Sequence, residues 1–223
     1  MEQVVNATIS ILFDGVAYGM LLFIISVGLS ITMGLMGFAN LAHGAFAMVG
    51  GYVLVSLITG CGVPFLIALV LASVFVAVIS IPVERYLYRR LYEAEELDHV
   101  LLSIGLVFMA TAAITFIYGP STVSLTVPDY LNGQVDLGFG QFPAYRTFTI
   151  AVGAFLILGL WYGFEGTIIG AKIRASVDNR RMAQSVGIDV DRLFVISFAL
   201  GSGLAALGGG LAIEIIGMEP TFA

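Results

Sequence analysis

Apolar residues in this chain fall into six long runs, separated by polar segments of unequal length. About 20 residues at helical rise cross the hydrocarbon of a bilayer, so each long apolar run predicts a membrane-spanning helix. The fold class that this pattern predicts is all-α: a polytopic transmembrane helix bundle with about six spans. The predicted spans are 9–36, 45–58, 63–83, 100–118, 148–164 and 193–217.

The second run, 45–58, is short for a full crossing, and a polar, glycine-broken stretch precedes it. Asn40, His43 and Gly44 lie in that stretch, between two apolar segments. Irregular polar backbone is tolerated at membrane depth where protein buries it or where it lines a wet cavity. From the residues alone two interpretations stay open: these residues belong to a substrate path, or their polar side chains bond neighbouring helices.

The last run, 193–217, is rich in small residues at three- and four-residue spacings. Small residues at that spacing let two helix backbones approach closely in a membrane. We expect this face to pack against another helix, within the subunit or across a dimer, and a hinge at the glycines is the alternative. The residues that carry this expectation are Gly201, Ala205, Gly208 and Gly209.

Composition supports the membrane class and excludes others. Hydrophobic residues make up 59% of the 223 residues and charged residues only 11%, which is more apolar surface than a soluble domain needs. The sequence has no phosphate-binding loop with a following Lys-Ser/Thr pair, so it does not hydrolyse ATP through that motif. One cysteine and two histidines do not build a recognisable metal site. We therefore expect a chain that is not an enzyme, with no catalytic residue, no metal, no cofactor and no nucleic-acid partner.

Lysine and arginine are concentrated in two loops, with three in 84–99 and five in 165–192. The loop 119–147 carries one, and residues 1–84 carry none. Because cytoplasmic loops are enriched in basic residues, both basic loops are predicted to be cytoplasmic and 119–147 to lie outside. If all six runs cross the membrane, the N-terminus lies outside. If the second run only dips into the membrane, the N-terminus lies inside. The first basic loop also carries tyrosines that suit an aromatic belt at the membrane edge: Tyr86, Tyr88 and Tyr92.

The second basic loop contains the pattern of a short amphipathic helix, 179–186. Asp178 is predicted as its N-cap residue, and Gly187 is predicted to end it in a left-handed conformation. A helix this short needs a surface to dock on, which is either lipid headgroups or a cytoplasmic partner. A solvated basic loop that only sets topology is the alternative. The expected apolar face is Met182, Ala183 and Val186, and the basic side chains Arg180 and Arg181 lie elsewhere on the helix.

The sequence resembles the permease subunits of branched-chain amino acid ABC importers over essentially its whole length. The most specific stretches are MGLMGFANLAHGAFAMVGGYV at 33–53, ERYLYRRL at 84–91, and GAKIRASVDNRRMAQSVGIDVDRLFVISFALGSGLAALGG at 170–209. The resemblance implies one permease domain over 1–223, in which 165–192 is the cytoplasmic coupling loop that docks on the ATPase. It also favours the polar stretch around Asn40 and His43 as part of the substrate path.

The partners that the resemblance implies are ABC ATPase subunits, a second permease subunit, an extracytoplasmic substrate-binding protein and membrane lipid. The implied location is the cell membrane, and the implied function is ATP-driven import of branched-chain or related small amino acids. Family permeases continue through further spanning helices, so we expect this chain to be C-terminally short. An ATPase-independent channel or facilitator for small polar solutes is the alternative, and a membrane scaffold without transport is a third hypothesis.

Overall fold

The computed structural model describes residues 2–38, 40–92, 94–125, 127–136, 138 and 140–222. The regular elements of the described part are helices, apart from one short hairpin between the fourth and fifth helices in which Val135 pairs with Phe142. The elements are α1 (Glu2–Met36), α2 (His43–Cys61), α3 (Phe65–Tyr86), a 3-10 turn (Tyr88–Leu91), α4 (Glu96–Tyr118), β1 (Gln134–Asp136), β2 (Gln141–Pro143), α5 (Ala144–Glu165), α6 (Ile168–Asp178), α7 (Arg180–Ser185) and α8 (Val190–Ile216).

Six of the described helices, α1 to α5 and α8, are long and apolar enough to cross a membrane. They confirm the predicted fold class, an all-α polytopic membrane protein. The second run differs from its predicted bounds, because α2 extends from His43 to Cys61 and has 19 residues. At 1.5 Å per residue this helix is about 28 Å long, enough to cross the hydrocarbon. Among the described residues, the non-helical backbone before it comprises 37, 38 and 40–42, and His43 and Gly44 belong to the first helical turn.

The helix α8 lies at the centre of the bundle, with α1, α2 and α3 packed around it. Two-thirds of its apolar window, 67%, is buried inside the protein, compared with 11% for α4 and for α5. The core next to α8 combines Leu21 and Ile24 of α1 with Met48 and Tyr52 of α2. The outer helices α4 and α5 leave most of their apolar side chains exposed, as lipid-facing helices do.

Glycine allows the neighbouring helices to approach α8 at backbone distance. A Cβ atom on Gly209 would lie 2.5 Å from the carbonyl carbon of Ala47 in α2. A Cβ atom on Gly201 would lie 2.7 Å from the carbonyl oxygen of Gly28 in α1. Since both obstacles are backbone atoms, no side chain fits at either position without moving a helix. The predicted small-residue face thus lies against α1 and α2 of the same chain, where Ala205 and Gly208 are also buried.

Ion pairs and a backbone bridge identify the two ends of the bundle. At one end, Nη2 of Arg89 lies 2.8 Å from Oδ2 of Asp191, which brings the two basic loops together. At the other end, the loop after α4 reaches the end of α8, where Val123 and Met218 form an antiparallel bridge. The two basic loops therefore share one end of the bundle, which we call the basic end.

Candidate functional site

Asn40 holds the irregular chain between α1 and α2 in place. Its side-chain oxygen accepts hydrogen bonds from the backbone N–H of Ala42 at 3.0 Å and from the hydroxyl of Tyr88 at 2.7 Å. Asn40 and Tyr88 are both buried. A buried amide oxygen needs such donors, because leaving it unpaired costs roughly 1–3 kcal/mol. Asn40 therefore fastens the start of α2 to the 3-10 turn that follows α3.

His43 opens α2 and joins it to α1. Its Nε2 atom lies 2.7 Å from the backbone carbonyl oxygen of Ile25, so this nitrogen carries the proton and donates. A Cβ atom on Gly28 would lie 2.9 Å from Cε1 of the same ring. Because Gly28 also faces Gly201 of α8, the imidazole sits where α1, α2 and α8 meet. The buried ring thus has a protein partner and does not face lipid.

Aromatic rings surround the polar stretch on the side of α4 and α8. Phe38 stacks on His99 with ring centroids 3.8 Å apart, and it lies 5.7 Å from Tyr88. Tyr88 in turn lies 5.1 Å from Phe198 of α8. The sequence analysis assigned Tyr88 to an aromatic belt at the membrane edge, and this is wrong, because the ring is fully buried in the protein. The reason is that α3 ends at Tyr86 and the tighter 3-10 turn directs the next tyrosine inward.

An apolar cavity adjoins the polar stretch, between α2, α3 and α4. Its volume is about 240 Å³. Gly44 lies in the first turn of α2, next in the chain to the lining residue Ala45, and is partly exposed. The cavity thus offers apolar walls within one helical turn of the buried polar side chains at the start of α2. Its lining residues are Ala42, Ala45, Phe46, Val49, Val83, Leu106, Met109 and Ala110.

The second candidate site is the basic segment formed by α6 and α7. Here the predicted N-cap residue is wrong, because Asp178 is the last residue of α6. Asn179 caps α7 instead, since its backbone is extended and its side-chain oxygen accepts the N–H of Met182 at 3.0 Å. Asp178 lines an open groove of about 430 Å³ between α1, α5 and α6. Gly187 has a φ of 87°, which confirms the left-handed residue predicted after this helix.

The apolar side chains of α7 point in two directions. Ala183 is buried in a small core that it shares with Ile173 of α6 and Leu193 of α8. Met182 and Val186 point away from the protein and are 62% and 71% exposed. The predicted common face of these three residues is therefore divided, because α7 must bury one side on its own chain. Met182 and Val186 form an exposed apolar pair that has no cover within the described residues.

Two neighbouring arginines of α7 have different surroundings. The guanidinium carbon of Arg180 lies 4.9 Å from the ring centre of Phe194 and 5.5 Å from that of Tyr92. Its Nη2 atom also lies 3.6 Å from Oδ1 of Asp191, at the start of α8. Arg181 is exposed and forms no ion pair with any described residue. Arg180 therefore holds α7 against its own chain, and Arg181 is available to solvent or to a partner.

Tyr92 extends this contact from α7 to α3. Its hydroxyl donates a hydrogen bond to Oε1 of Glu84, a carboxylate buried at the end of α3. Burial, together with the bond to Glu84, raises the pKa of the Tyr92 hydroxyl, so Tyr92 stays protonated and keeps donating. A continuous set of contacts thus links Arg180, Tyr92 and Glu84. No sequence pattern pointed to it, because its members come from the two basic loops, which are distant in the chain.

Six apolar helices, one of which is the buried central helix α8, define a polytopic helical membrane protein, and an amphipathic segment precedes α8. The model of one family, described as the permease component of the branched-chain amino acid transport system, matches residues 11–222. The chain belongs to this family.

Curated relatives carry the same description. The chain is 29% identical to the high-affinity branched-chain amino acid transport system permease protein LivH of Escherichia coli (strain K12), over 93% of this chain and 71% of that protein. It is 29% identical to the probable branched-chain amino acid transport permease protein LivH of Methanocaldococcus jannaschii, over 90% and 65% respectively. For the permease protein BraD of Pseudomonas aeruginosa the identity is 25%, over 93% and 70%. No solved structure matches the chain.

Proposed function

We propose that this chain is the permease subunit of an ATP-driven ABC importer for branched-chain or related small amino acids. The family and its relatives, named for branched-chain amino acid transport, support the substrate class. The observation that carries the proposal is the exposed apolar pair, Met182 and Val186, on a capped helix at the basic end of the bundle. A separate ATPase subunit hydrolyses ATP and docks on this helix.

The basic end faces the cytoplasm in this proposal. Basic residues concentrate there, and translocated loops rarely carry such a concentration. The loops 84–99 and 165–192 are then cytoplasmic, and the loop that carries the hairpin lies outside. An extracytoplasmic binding protein delivers the substrate to that outer side, and a second permease subunit completes the pathway.

Apolar contact dominates the docking energy. Full burial of a methionine or valine side chain contributes roughly 1.5–3 kcal/mol. An exposed ion pair contributes only about 0–1 kcal/mol, and salt screens it. Met182 and Val186 therefore anchor the ATPase, and Arg181 adds a salt-sensitive contact. Asp178 and Gly187 flank the docking helix. Ala183 packs it against the permease, and Arg180 fixes its orientation.

The substrate path passes the polar stretch at the start of α2. Asn40 and His43 supply polar side chains there, Gly44 adds no side-chain bulk, and the adjoining cavity of about 240 Å³ supplies apolar walls. An amino acid with a branched apolar side chain needs both kinds of surface, since its backbone groups are charged and its side chain is not. Asn40 and His43 already form hydrogen bonds within the protein. A substrate that passes here therefore replaces some of these hydrogen bonds with its own.

The experiment that tests docking uses the permease co-expressed with a candidate ABC ATPase subunit from the same organism. Met182→Asp together with Val186→Asp should release the ATPase during affinity purification, because two carboxylates enter an apolar contact. Arg181→Gln serves as the matched control and should weaken retention only at raised salt. If the aspartate variant keeps the ATPase with native affinity, the docking proposal fails. Uptake that continues without any ATPase would identify a channel or facilitator.

A further inference from the structure

An open groove lies between α3 and α8 on the surface of the described bundle. Its volume is about 410 Å³, and its lining is almost wholly apolar. Ala77 and Gly203 form its floor, where a Cβ atom on Gly203 would lie 3.2 Å from that of Ala77. Val74 and Leu200 stand exposed on its two walls. The groove therefore lies between two helices that are apolar and long enough to cross a membrane.

This groove leads into a polar cavity at the basic end. The cavity has a volume of about 270 Å³, and Val195 lines both spaces. Arg85 follows Ile81 by one helical turn of α3, and Arg192 precedes Val195 by one turn of α8. The two helix faces that line the groove thus continue directly into the arginines. The polar cavity is lined by Arg85, Arg89, Asp189, Asp191, Arg192 and Val195.

The charges in the polar cavity favour an anion. Arg89 pairs with Asp191 at 2.8 Å, and Arg192 pairs with Asp189 at 3.4 Å. Arg85 forms no ion pair with any described residue, although the carboxylate of Glu84 acts on it electrostatically. The cavity therefore carries one guanidinium more than carboxylates. A guanidinium can donate two parallel hydrogen bonds to one phosphate. Arginine therefore matches the geometry of a phosphate better than lysine, which acts as a point charge.

We propose that the groove and the polar cavity together bind one anionic phospholipid from the leaflet at the basic end. An acyl chain lies between α3 and α8, and the phosphate is bound by Arg85. A helix of another subunit would fill the apolar groove but would leave Arg85 without an anion. A free phosphate would occupy the arginines but would leave the groove empty. Lipid binding of this kind does not depend on transport, so it goes beyond the proposed function.

The test measures lipid binding to the purified full chain in detergent by native mass spectrometry. The two probes are phosphatidylglycerol and phosphatidylcholine with identical acyl chains. Phosphatidylglycerol should bind about fivefold more tightly, as expected for one arginine near an anionic headgroup. Arg85→Gln should abolish this preference. Arg90→Gln is the matched control, because Arg90 is exposed in the 3-10 turn that follows α3 and does not line the cavity. Equal binding of both lipids, or the same loss in both variants, overturns the proposal.

A second variant tests the acyl-chain groove. Ala199→Phe fills the groove and should lower the binding of both lipids, whereas Ala113→Phe on the exposed face of α4 should not. Circular dichroism and size-exclusion profiles establish that both variants are folded. The variant Leu200→Cys, in a Cys61→Ser background, tests whether another protein chain occupies the groove. Disulfide-linked dimers in intact membranes would show that a second chain covers the groove, and this result also overturns the proposal.

Discussion

At the scale of single residues, identical side chains acquire different roles from their neighbours. Arg180 and Arg181 are adjacent in sequence, yet only Arg180 contacts aromatic rings and Asp191. A guanidinium over an aromatic face contributes about 0.5–2 kcal/mol, depending on how far it is desolvated. The local stability of α7 thus depends on one of the two arginines. The hydrophobic and basic pattern alone gave both the same role.

Arg180→Gln should therefore loosen α7, and Arg181→Gln should leave it in place. The measurement is the mobility of a nitroxide label at Gln184→Cys, an exposed position of α7, in a Cys61→Ser background. We expect faster label motion in the Arg180 variant only. Arg180→Lys should restore the pair with Asp191 but only part of the ring contact. Equal label motion in the Arg180→Gln and Arg181→Gln variants would contradict the role assigned to Arg180.

The hydrogen bond between Tyr88 and Asn40 yields a second prediction at this scale. Asn40→Leu leaves the buried Tyr88 hydroxyl and the Ala42 N–H without an acceptor and should cost roughly 1–3 kcal/mol for each group. Adding Tyr88→Phe removes one orphaned donor, so the double variant should lose less stability than the sum of the two single variants. Thermal unfolding in detergent measures the stability of the two single variants and the double variant. Tyr86→Phe is the control, because Tyr86 is exposed. Additive losses would mean that the two side chains do not interact.

At the scale of elements, the packing of α8 depends on where glycine meets backbone. Gly209→Ala places a methyl group against the Ala47 carbonyl and should force α2 and α8 apart. Gly105→Ala on α4 meets nothing within 4 Å among the described residues and should be neutral or stabilising by up to about 1 kcal/mol. The measurement is the thermal unfolding midpoint of each variant, compared with that of the unchanged protein. A stable Gly209→Ala protein would contradict the close approach of α2 and α8.

The sequence was sufficient to predict the six spanning helices, but it predicted neither α6 nor most of the contacts between helices. Apolar run length alone predicts six spans, because a bilayer sets the length of a helix. The end of α7 was also predictable, since a glycine favours the left-handed conformation seen at Gly187. The N-cap was not, because both Asp178 and Asn179 suit that role and only the end of α6 decides between them. The burial of Tyr88 likewise depends on Asn40 and Phe198, which are distant in the chain.

At the scale of the whole molecule, the assignment of sides can be measured directly. Ser121 and Gln184 are exposed at opposite ends of the bundle, and each can be replaced by cysteine in a Cys61→Ser background. An impermeant thiol reagent should label Ser121→Cys in intact cells, and it should reach Gln184→Cys only after the membrane is opened. Labelling of both positions from the same side would contradict an arrangement in which the basic end is cytoplasmic.

The central claim is that this chain moves amino acids only when a docked ATPase hydrolyses ATP. The decisive measurement is uptake of labelled leucine into proteoliposomes that contain the permease subunits and their ATPase, with the binding protein outside. We predict uptake when the vesicles enclose hydrolysable ATP and none when they enclose a non-hydrolysable analogue. Uptake that proceeds equally with the analogue, or equally without the ATPase, would contradict the account and identify a passive pathway.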